Sequence, residues 1–290
     1  MKVLRSPKIF QALMDRERGR ARTLGFVPTM GALHEGHASL VRRAKKENDL
    51  AAVSIFVNPL QFGPKEDFSR YPRTLAADMA VLRKAGADYL FVPKAEDFYP
   101  QGFQTSVRVG REGVSGLTRG LCASARPGHF EGVATVVTKL LNLSKAHRAY
   151  FGAKDFQQAA LIERLVEDLS LDIQIRVCPT VREADGLAMS SRNRYLNSEE
   201  RSRALALPRA LSALKRALEE GRPLGKTLRS ARRSLEAGAD RVDYLEIVDP
   251  GTLEPLKRPR ALMTAAAACR FGKTRLIDNV SIRISQTRRK

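Results

Sequence analysis

The stretch Gly25-Phe-Val-Pro-Thr-Met-Gly-Ala-Leu-His-Glu-Gly-His-Ala-Ser-Leu40 decides the fold of this chain, because it joins an apolar strand end to a helical pattern through a turn that contains glycine. A strand-to-helix turn presents backbone N–H groups and the positive end of a helix dipole, and such a turn binds phosphate. His34 and His37 stand three residues apart at this junction. Side chains at that spacing share one side of a helical turn, so both imidazoles are expected to face the same anion.

The two histidines allow three interpretations. Metal binding is the weakest, because zinc proteases place their histidines four residues apart, whereas His34 and His37 are three apart. The simplest is a pair of ordinary hydrogen bonds at the start of a helix. The third is contact with an anion, which the strand before the turn and the helix after it favour.

Apolar runs and amphipathic stretches alternate as far as Cys178. The run over 50–57 is almost continuously apolar, which is typical of a parallel strand covered on both faces. Similar patterns predict strands over 23–29, 88–92, 105–109, 148–151 and 172–178, and helices over 8–17, 37–46, 74–85, 130–143 and 155–169, with Thr74 as an N-cap. This alternation predicts an α/β fold with a doubly wound parallel sheet, in which ligands bind beyond the carboxyl ends of the strands.

The pattern changes after about residue 182. A long helix over 199–220, with Ser198 as its cap, and a second helix over 224–235 come before strands near 242–248, 261–269 and 275–284. We therefore expect one domain over 1–181 and a small α+β domain over 182–290. The glycine-rich segment 101–128 is expected to hold a mobile loop, and the tail over 285–290 is expected to fray.

The composition limits the class of protein. No apolar run approaches the roughly 18 residues that a membrane helix needs, and three widely spaced cysteines fit a reducing cytoplasm. The net charge of +20 leaves nucleic-acid binding as an alternative. Because the basic residues are spread along the chain and aromatic residues are few, we expect no specific nucleic-acid partner, no membrane and a cytoplasmic protein.

Polar residues follow two of the predicted strands. Asn58 and Gln61 come after the strand over 50–57, and their amides can bind hydroxyls or carboxylates without carrying charge. Lys154 follows the strand over 148–151, where an ammonium group can neutralise a phosphate. A salt bridge at the start of a helix is an equal alternative for this lysine.

The amides of Gln157 and Gln158, on the first turn of the helix that follows Lys154, are further candidates for binding hydroxyls or carboxylates. The turn Met189-Ser-Ser-Arg192 offers two hydroxyls, backbone donors and a guanidinium, which suit a triphosphate. A serine-rich turn with no ligand is the plainer alternative, but the position of this turn between two predicted domains favours a site.

Six motifs occur in order along the chain, and they are Val27-Pro-Thr-Met-Gly-Ala-Leu-His-Glu-Gly-His37, Ser54-Ile-Phe-Val-Asn-Pro-Leu-Gln-Phe62, Tyr71-Pro-Arg-Thr74, Arg126-Pro-Gly-His-Phe130, Phe151-Gly-Ala-Lys-Asp-Phe-Gln-Gln158 and Val181-Arg-Glu-Ala-Asp-Gly-Leu-Ala-Met-Ser-Ser-Arg-Asn-Arg-Tyr195. Together these motifs resemble the pantoate–β-alanine ligase (pantothenate synthetase) family of the nucleotidylyltransferase superfamily. The resemblance covers most of 25–195 and is looser after that.

This resemblance implies a Rossmann-like domain over 1–181 that binds nucleotide and pantoate, a small C-terminal lid over 182–290, and a homodimer. It also implies that ATP, with Mg²⁺, drives the condensation of pantoate with β-alanine to pantothenate, with AMP and pyrophosphate as the other products. The carboxylate of pantoate would first attack the α-phosphate to form pantoyl adenylate. The amine of β-alanine would then displace AMP.

The resemblance also implies which residues act on ATP. It gives His34 and His37 contacts with the phosphates, with His37 as the proton donor, and it gives Lys154 the neutralisation of phosphate charge. The remaining residues that it places around ATP are Met30, Gly31, Ala32, Leu33, Glu35, Gly36, Gly152, Ala153, Asp155, Val181, Met189, Ser190, Ser191 and Arg192.

On the acid side, the resemblance matches Gln61 and Gln158 to glutamines that bind pantoate, with Gln61 also facing β-alanine. Asn58 and Arg126 would support that site. The chain departs from the family beside Asp78, where Ala77 replaces a frequent second acidic residue, so Asp78 is only a weak candidate for the metal side. An adenylyltransferase for another small acid is the alternative enzyme.

Overall fold

The computed structural model describes residues 1–64, 66–110 and 116–284, which form two compact units. The first comprises Met1–Val109, Arg126–Ala153 and Leu161–Val181. The second comprises Gly110–Ala125, Lys154–Ala160 and Arg182–Lys290. The division into domains at 181/182 stays a prediction, and the two units differ from it by placing two earlier segments with the second unit.

The first unit contains a parallel sheet of six strands in the order β1-β4-β3-β2-β5-β6, which confirms the predicted α/β class. Its strands are β1 (Lys2–Leu4), β2 (Leu24–Thr29), β3 (Leu50–Ile55), β4 (Tyr89–Phe91), β5 (Arg148–Gly152) and β6 (Gln174–Cys178). The helices along this part of the chain are α1 (Pro7–Gly19), α2 (Glu35–Glu47), α3 (Leu75–Ala85), α4 (Ala95–Phe98), α5 (Leu121–Ala125), α6 (His129–Ser144) and α7 (Phe156–Asp168), of which α5 and the start of α7 belong to the second unit.

The apolar run over 50–57 becomes β3, in which every residue is buried. Val53 of this strand belongs to one core cluster with Val27, Val41, Leu82 and Leu90, each with no exposed surface. A strand covered on both faces is apolar at nearly every position, and here Ser54 is the one polar residue, which is why the run lacks the polar alternation of a half-exposed strand.

The strand order reverses direction between β2 and β5, because the chain runs outward through β3 and β4 on one side of β2 and through β5 and β6 on the other. β2 and β5 pair only at Gly25–Arg148 and Phe26–Ala149, although both strands continue for three more residues. Their carboxyl ends are therefore unpaired with each other at the topological switch point, which is where doubly wound sheets bind ligands.

The second unit confirms a small α+β fold after residue 182. Its helices α8 (Ser198–Ala204), α9 (Ala206–Glu219) and α10 (Leu224–Gly238) precede an antiparallel sheet of β7 (Arg241–Val248), β8 (Leu262–Phe271) and β9 (Thr274–Arg283). Leu207, Leu211 and Leu214 of α9 pack in one buried cluster with Met263 and Phe271 of β8. Within the described ranges, no helix is both long and apolar enough to cross a membrane.

One predicted helix and two predicted helix caps differ from the structure. The helix over 199–220 is two helices, α8 and α9, and Pro208 in the first turn of α9 has no N–H with which to continue the bonding of α8. The N-cap of α8 is Asn197, which accepts from the Glu200 N–H, and not Ser198. Thr74 stands at the N-cap position of α3 but makes no capping bond, because its hydroxyl donates to Asp78 instead.

The predicted strand over 105–109 is wrong, since these residues belong to no strand and the Val107 N–H donates to the Thr135 hydroxyl of α6. Strand β1 was missed, because a three-residue edge strand leaves too little alternation to detect. Residues 111–115 of the predicted mobile loop, and the predicted frayed tail over 285–290, lie outside the described residues.

Candidate functional site

The loop after β2 is held by a buried carboxylate. Gly31 and Ala32 adopt left-handed backbone conformations, with φ of 84° and 50°. The N–H groups of Ala32 and Leu33 donate to the two carboxylate oxygens of Asp78, at 3.0 and 2.8 Å, and the Thr74 hydroxyl donates to the same group. A left-handed alanine costs roughly 1 kcal/mol, which these bonds offset.

Asp78 is thus a positioning residue of the loop, and a metal contact for it remains only a prediction. Asp78 is 2 % exposed, and its carboxylate already accepts three hydrogen bonds. Across the described part of the chain, no group of three or more His, Cys, Asp or Glu residues could hold a metal ion.

His34 and His37 begin α2 as a reciprocal cap. The Nδ1 atom of His34 accepts from the Gly36 N–H at 3.2 Å, and the Nδ1 atom of His37 accepts from the His34 N–H at 3.4 Å. A neutral imidazole has one proton, so an accepting Nδ1 places that proton on Nε2. The ring centroids lie 4.2 Å apart. Each histidine is therefore a donor through Nε2, as contact with a phosphate oxygen requires.

The expectation that the turn offers unbonded N–H groups to an anion is wrong for five of them. The N–H groups of Ala32 and Leu33 donate to Asp78, that of Gly31 donates to the Thr29 hydroxyl, and those of His34 and Gly36 donate to the two histidine rings. The imidazoles and the N-terminal dipole of α2 are what this loop can direct at an anion.

The loop after β3 presents two buried amides that are bonded to each other. It forms a single 3₁₀ turn over Pro59–Gln61. Asn58 is 1 % exposed, and its Nδ2 donates to Gln61 Oε1 at 3.1 Å and to the Gly132 carbonyl of α6 at 3.0 Å. The Gln61 Nε2 lies 3.1 Å from the sulfur of Met30, so the side chains after β2 and β3 meet.

His129 and Arg126 hold the backbone of Gln61, and Glu66 in turn holds Arg126. His129 Nδ1 lies 2.8 Å from the Gln61 carbonyl, and Arg126 binds His129 Nε2 at 2.8 Å. Arg126 also makes two 2.6 Å hydrogen bonds to the carboxylate of Glu66. Burial alone would raise the pKa of Glu66, but the hydrogen bonds and charge of Arg126 outweigh it and lower that pKa.

We call Asn58, Gln61, Tyr99, Arg126 and His129 the amide cluster. Sequence reasoning found three of its members and missed His129 and Tyr99, whose hydroxyl donates to Asn58 Oδ1 at 2.9 Å. It also missed Glu66. The Arg126-Pro-Gly-His129 motif held a usable signal for His129, whereas Tyr99 and Glu66 follow no local pattern.

Lys154 lies in a 3₁₀ turn over Ala153–Asp155 that directly follows β5. Its side chain is 19 % exposed, its Nζ is 3.9 Å from Asp155, and its carbonyl accepts from Asn279 Nδ2 at 2.9 Å. This ammonium is therefore mostly buried, with the carboxylate of Asp155 at the outer limit of a salt bridge. Gly152 ends β5, and a Cβ added there would meet nothing within 4 Å.

The predicted binding role of Gln157 is wrong. Its Oε1 accepts from the Cys122 N–H at 2.9 Å, and its Nε2 donates to the Leu117 and Gly120 carbonyls. The amide is thus used to hold the segment before α5. Gln158, its neighbour on α7, is half-buried and stays a candidate.

The serine turn, as we call residues 189–195, is a 3₁₀ helix over Ser191–Tyr195 capped by Ser190, whose hydroxyl accepts from the Arg192 N–H at 3.2 Å. Asn193 Nδ2 donates to the Ala188 carbonyl and to Glu183. Met189, Ser190, Ser191 and Arg192 are all half-buried, as is Val181 before them.

Ion pairs connect the segment before the serine turn to the rest of the second unit. Arg182 binds Asp278 of β9 through two hydrogen bonds, at 2.7 and 2.9 Å, and the Asp278 side chain is 1 % exposed. Arg201 of α8 binds Glu183 at 2.6 Å. Charged side chains therefore hold the segment before the serine turn.

Comparison with known proteins gives one consistent result. The sequence model of the pantoate–β-alanine ligase family matches residues 2–281. A pantothenate synthetase from Sulfurihydrogenibium sp. is 48 % identical over 97 % of this chain and 99 % of its own length. A pantothenate synthetase structure from Thermus thermophilus is 47 % identical, covering 97 % of this chain and 99 % of that one, with a TM-score of 0.91.

A pantoate–β-alanine ligase from Francisella tularensis, complexed with β,γ ATP and β-alanine, is 35 % identical. It covers 97 % of both chains with a TM-score of 0.79.

Proposed function

Because this chain belongs to the pantoate–β-alanine ligase family and is a ligase of that class, we infer that it condenses pantoate with β-alanine, driven by the cleavage of ATP to AMP and pyrophosphate. The observation that supports this inference is the contact between Gln61 and Met30 in the first unit. Met30 lies in the loop that leads to His34 and His37, whose rings are 4.2 Å apart. This contact brings uncharged donors for a small acid close to donors for a phosphate. ATP and β-alanine are the molecules named with the Francisella relative.

In the first step, a carboxylate oxygen of pantoate forms a bond to the α-phosphorus, and the bond from that phosphorus to pyrophosphate breaks. Two anions must meet in line, so the protein has to hold both and offset their charge. His34 and His37 donate hydrogen bonds through Nε2 to phosphate oxygens, and the hydrogen bond from His37 meets the charge that develops on the phosphate side. Lys154, with Ser190, Ser191 and Arg192, offsets phosphate charge.

In the second step, the neutral amine of β-alanine attacks the acyl carbon of pantoyl adenylate, the acyl–oxygen bond to AMP breaks, and the proton lost from the nitrogen passes to water. Gln61 and Gln158 hold the pantoate portion through neutral amides, and Gln61 also faces the amine. Asn58 and Arg126 act through Gln61, because the polar atoms of both side chains are bonded within the protein. The remaining residues of the β2 loop, with Gly152, Ala153, Asp155, Val181 and Met189, line the nucleotide.

We propose that Mg²⁺ enters the site already bound to the phosphates of ATP. Mg²⁺ keeps several waters and takes few protein ligands when it arrives with phosphates. That behaviour fits a chain in which Asp78, the weak metal candidate, accepts hydrogen bonds from the protein with both of its oxygens. The metal's chemistry is to neutralise phosphate charge.

The proposed setting is a homodimer in the cytoplasm. The homodimer rests on the family resemblance, and the cytoplasmic location rests on the cysteine content. A sedimentation measurement tests the homodimer. A dimer at micromolar concentration is expected, and a monomer there would remove the homodimer from the proposal.

Exchange of labelled pyrophosphate into ATP tests the first step, because it needs pantoate and Mg²⁺ but not β-alanine. We expect exchange that depends on pantoate and is weaker with other small hydroxy acids. No exchange by folded protein supplied with Mg²⁺ would overturn the proposed function, and equal exchange with unrelated acids would favour an adenylyltransferase of another substrate.

The same assay tests the assigned roles. His37→Ala and Lys154→Ala should each lower turnover by ~10²-fold or more while the protein stays folded, because each removes a group that meets developing charge. Lys226→Ala, at an exposed position of α10, is the matched control and should keep the wild-type rate. Near-normal rates in both site variants would contradict the assignment.

A further inference from the structure

Tyr99 stands at the start of a chain of hydrogen bonds that ends at the substrate-binding amide of Gln61. The Tyr99 hydroxyl donates to Asn58 Oδ1 at 2.9 Å, and Asn58 Nδ2 donates to Gln61 Oε1 at 3.1 Å. Gln61 Nε2 then points to Met30, with its nitrogen 3.1 Å from the sulfur. All four residues belong to the first unit.

Every bond in this chain runs in the same direction, which the Tyr99 hydroxyl, the Leu60 N–H and the Gly132 carbonyl set together. A side-chain amide can be turned by 180°, which exchanges its donor and acceptor ends. Asn58 cannot turn, because its oxygen would then leave the Tyr99 and Leu60 donors while its nitrogen would leave the Gly132 acceptor. Burial raises the pKa of the Tyr99 phenol well above its usual range, so the phenol remains a donor.

The Tyr99 ring is itself held in place. Phe56, Phe98 and Phe103 pack around it, with ring centroids 4.9 to 5.9 Å from that of Tyr99. The Lys139 ammonium of α6 lies 5.5 Å from the Tyr99 ring centroid and donates to the Phe98 carbonyl. A cation over an aromatic face attracts the ring, which restrains the direction of the hydroxyl.

We propose that Tyr99 is a positioning residue that fixes the Gln61 amide with its oxygen toward Asn58 and its nitrogen toward the acid substrate. Gln61 then selects a substrate that offers a hydrogen-bond acceptor, such as a carboxylate or hydroxyl oxygen. This inference rests on the proposed function, and it adds a residue outside the sequence motifs. Without the phenol, Asn58 keeps its bonds to Leu60 and Gly132 but loses its shortest hydrogen bond, so the orientation of the Gln61 amide is held less firmly.

Tyr99→Phe removes the hydroxyl and keeps the ring. In the pantoate-dependent exchange assay, the KM for pantoate should rise by about tenfold, because a buried hydrogen bond and a fixed orientation are lost. The KM for ATP should stay within about twofold of wild type, and kcat should fall by less than about threefold. Lys139→Met keeps the phenol and removes the cation, so the KM for pantoate should rise only about twofold.

Tyr89→Phe is the matched control, because Tyr89 is a partly buried phenol that interacts with Glu17 elsewhere in the first unit. Its KM for pantoate should equal that of wild type. If Tyr99→Phe behaves like this control, or if it lowers kcat and raises both KM values alike, the positioning role is wrong. Both of these outcomes are measured against an active wild-type enzyme. If the wild-type protein shows no exchange at all, it is the proposed function that is wrong.

Discussion

The amide cluster and the serine turn are both proposed to hold substrate, but the chain builds them in different ways. In the amide cluster, Asn58 and Gln61 are 1 % and 7 % exposed, and neutral amides and a phenol bond to each other. In the serine turn every residue from 189 to 193 is half-buried, and charged neighbours such as Arg201 hold the segment before it.

This difference teaches how each region is expected to fail. A buried neutral network loses a partner completely when one group is removed, because no water replaces the missing bond. A half-exposed charged network can recruit water and counterions, so each ion pair contributes little and salt weakens it. The neutral Tyr99–Asn58–Gln61 chain should be sensitive to single atoms and insensitive to salt, and the half-exposed Arg201–Glu183 pair should show the reverse.

Gly132→Ala should have the largest effect, because α6 approaches the 3₁₀ turn of Gln61 without room for a side chain. A Cβ at this position would lie 2.7 Å from the Gln61 Cα and closer still to the Leu60 carbonyl. We expect the free energy of unfolding to fall by about 3 kcal/mol, as in overpacked cores. Denaturant unfolding measures this loss, and the KM for pantoate should rise in the same variant.

Gly19→Ala is the matched control, since a Cβ there meets nothing within 4 Å and Gly19 ends α1 in the same unit. Its stability and its KM should not worsen. If Gly132→Ala is as stable as this control, the amide cluster tolerates backbone movement, and its contrast with the serine turn disappears.

Asp78→Asn should have a smaller but still marked effect. The amide nitrogen of the variant must face the N–H group of Ala32 or Leu33, so one buried donor loses its acceptor. We expect a loss of about 2 kcal/mol in the free energy of unfolding, together with reduced turnover from a displaced His34 loop. Asp15→Asn, at an exposed position of α1, should show neither change.

A titration with Mg²⁺ separates this positioning role from a metal contact. The Mg²⁺ concentration for half-maximal exchange should be the same in Asp78→Asn and in wild type. Unchanged stability with a Mg²⁺ requirement raised by about tenfold would instead identify Asp78 as a metal ligand.

Local pattern was enough to predict the α/β class and most helices and strands. The buried run that becomes β3 and the alternation around it depend on neighbours within a few residues, and such neighbours are visible in a sequence. The same applies to the polar residues after each strand, which is why Asn58 and Gln61 were found. Their chemical roles were assigned by family resemblance.

The contacts that complete the site join residues far apart in sequence. Asp78 reaches Ala32 across 46 residues, Tyr99 reaches Asn58 across 41, and His129 reaches Gln61 across 68. No periodicity specifies such pairs, because they depend on how the elements pack. This is also why Asp78 was considered for a metal, and why Gln157 was considered for substrate.

Arg201→Gln should have the smallest effect and tests the charged side of the comparison. Arg201 pairs with Glu183 at 2.6 Å and with Asp185 at 2.5 Å, and the three side chains are 25 %, 32 % and 39 % exposed, so water can replace both bonds. We expect a loss of about 0.5 kcal/mol in the free energy of unfolding at low ionic strength, shrinking toward zero near 1 M salt. Arg233→Gln, at an exposed position of α10, should cost nothing at either salt concentration. A loss of about 2 kcal/mol that is independent of salt would show that the serine turn is held as rigidly as the amide cluster, because only bonds shielded from water resist both replacement and screening.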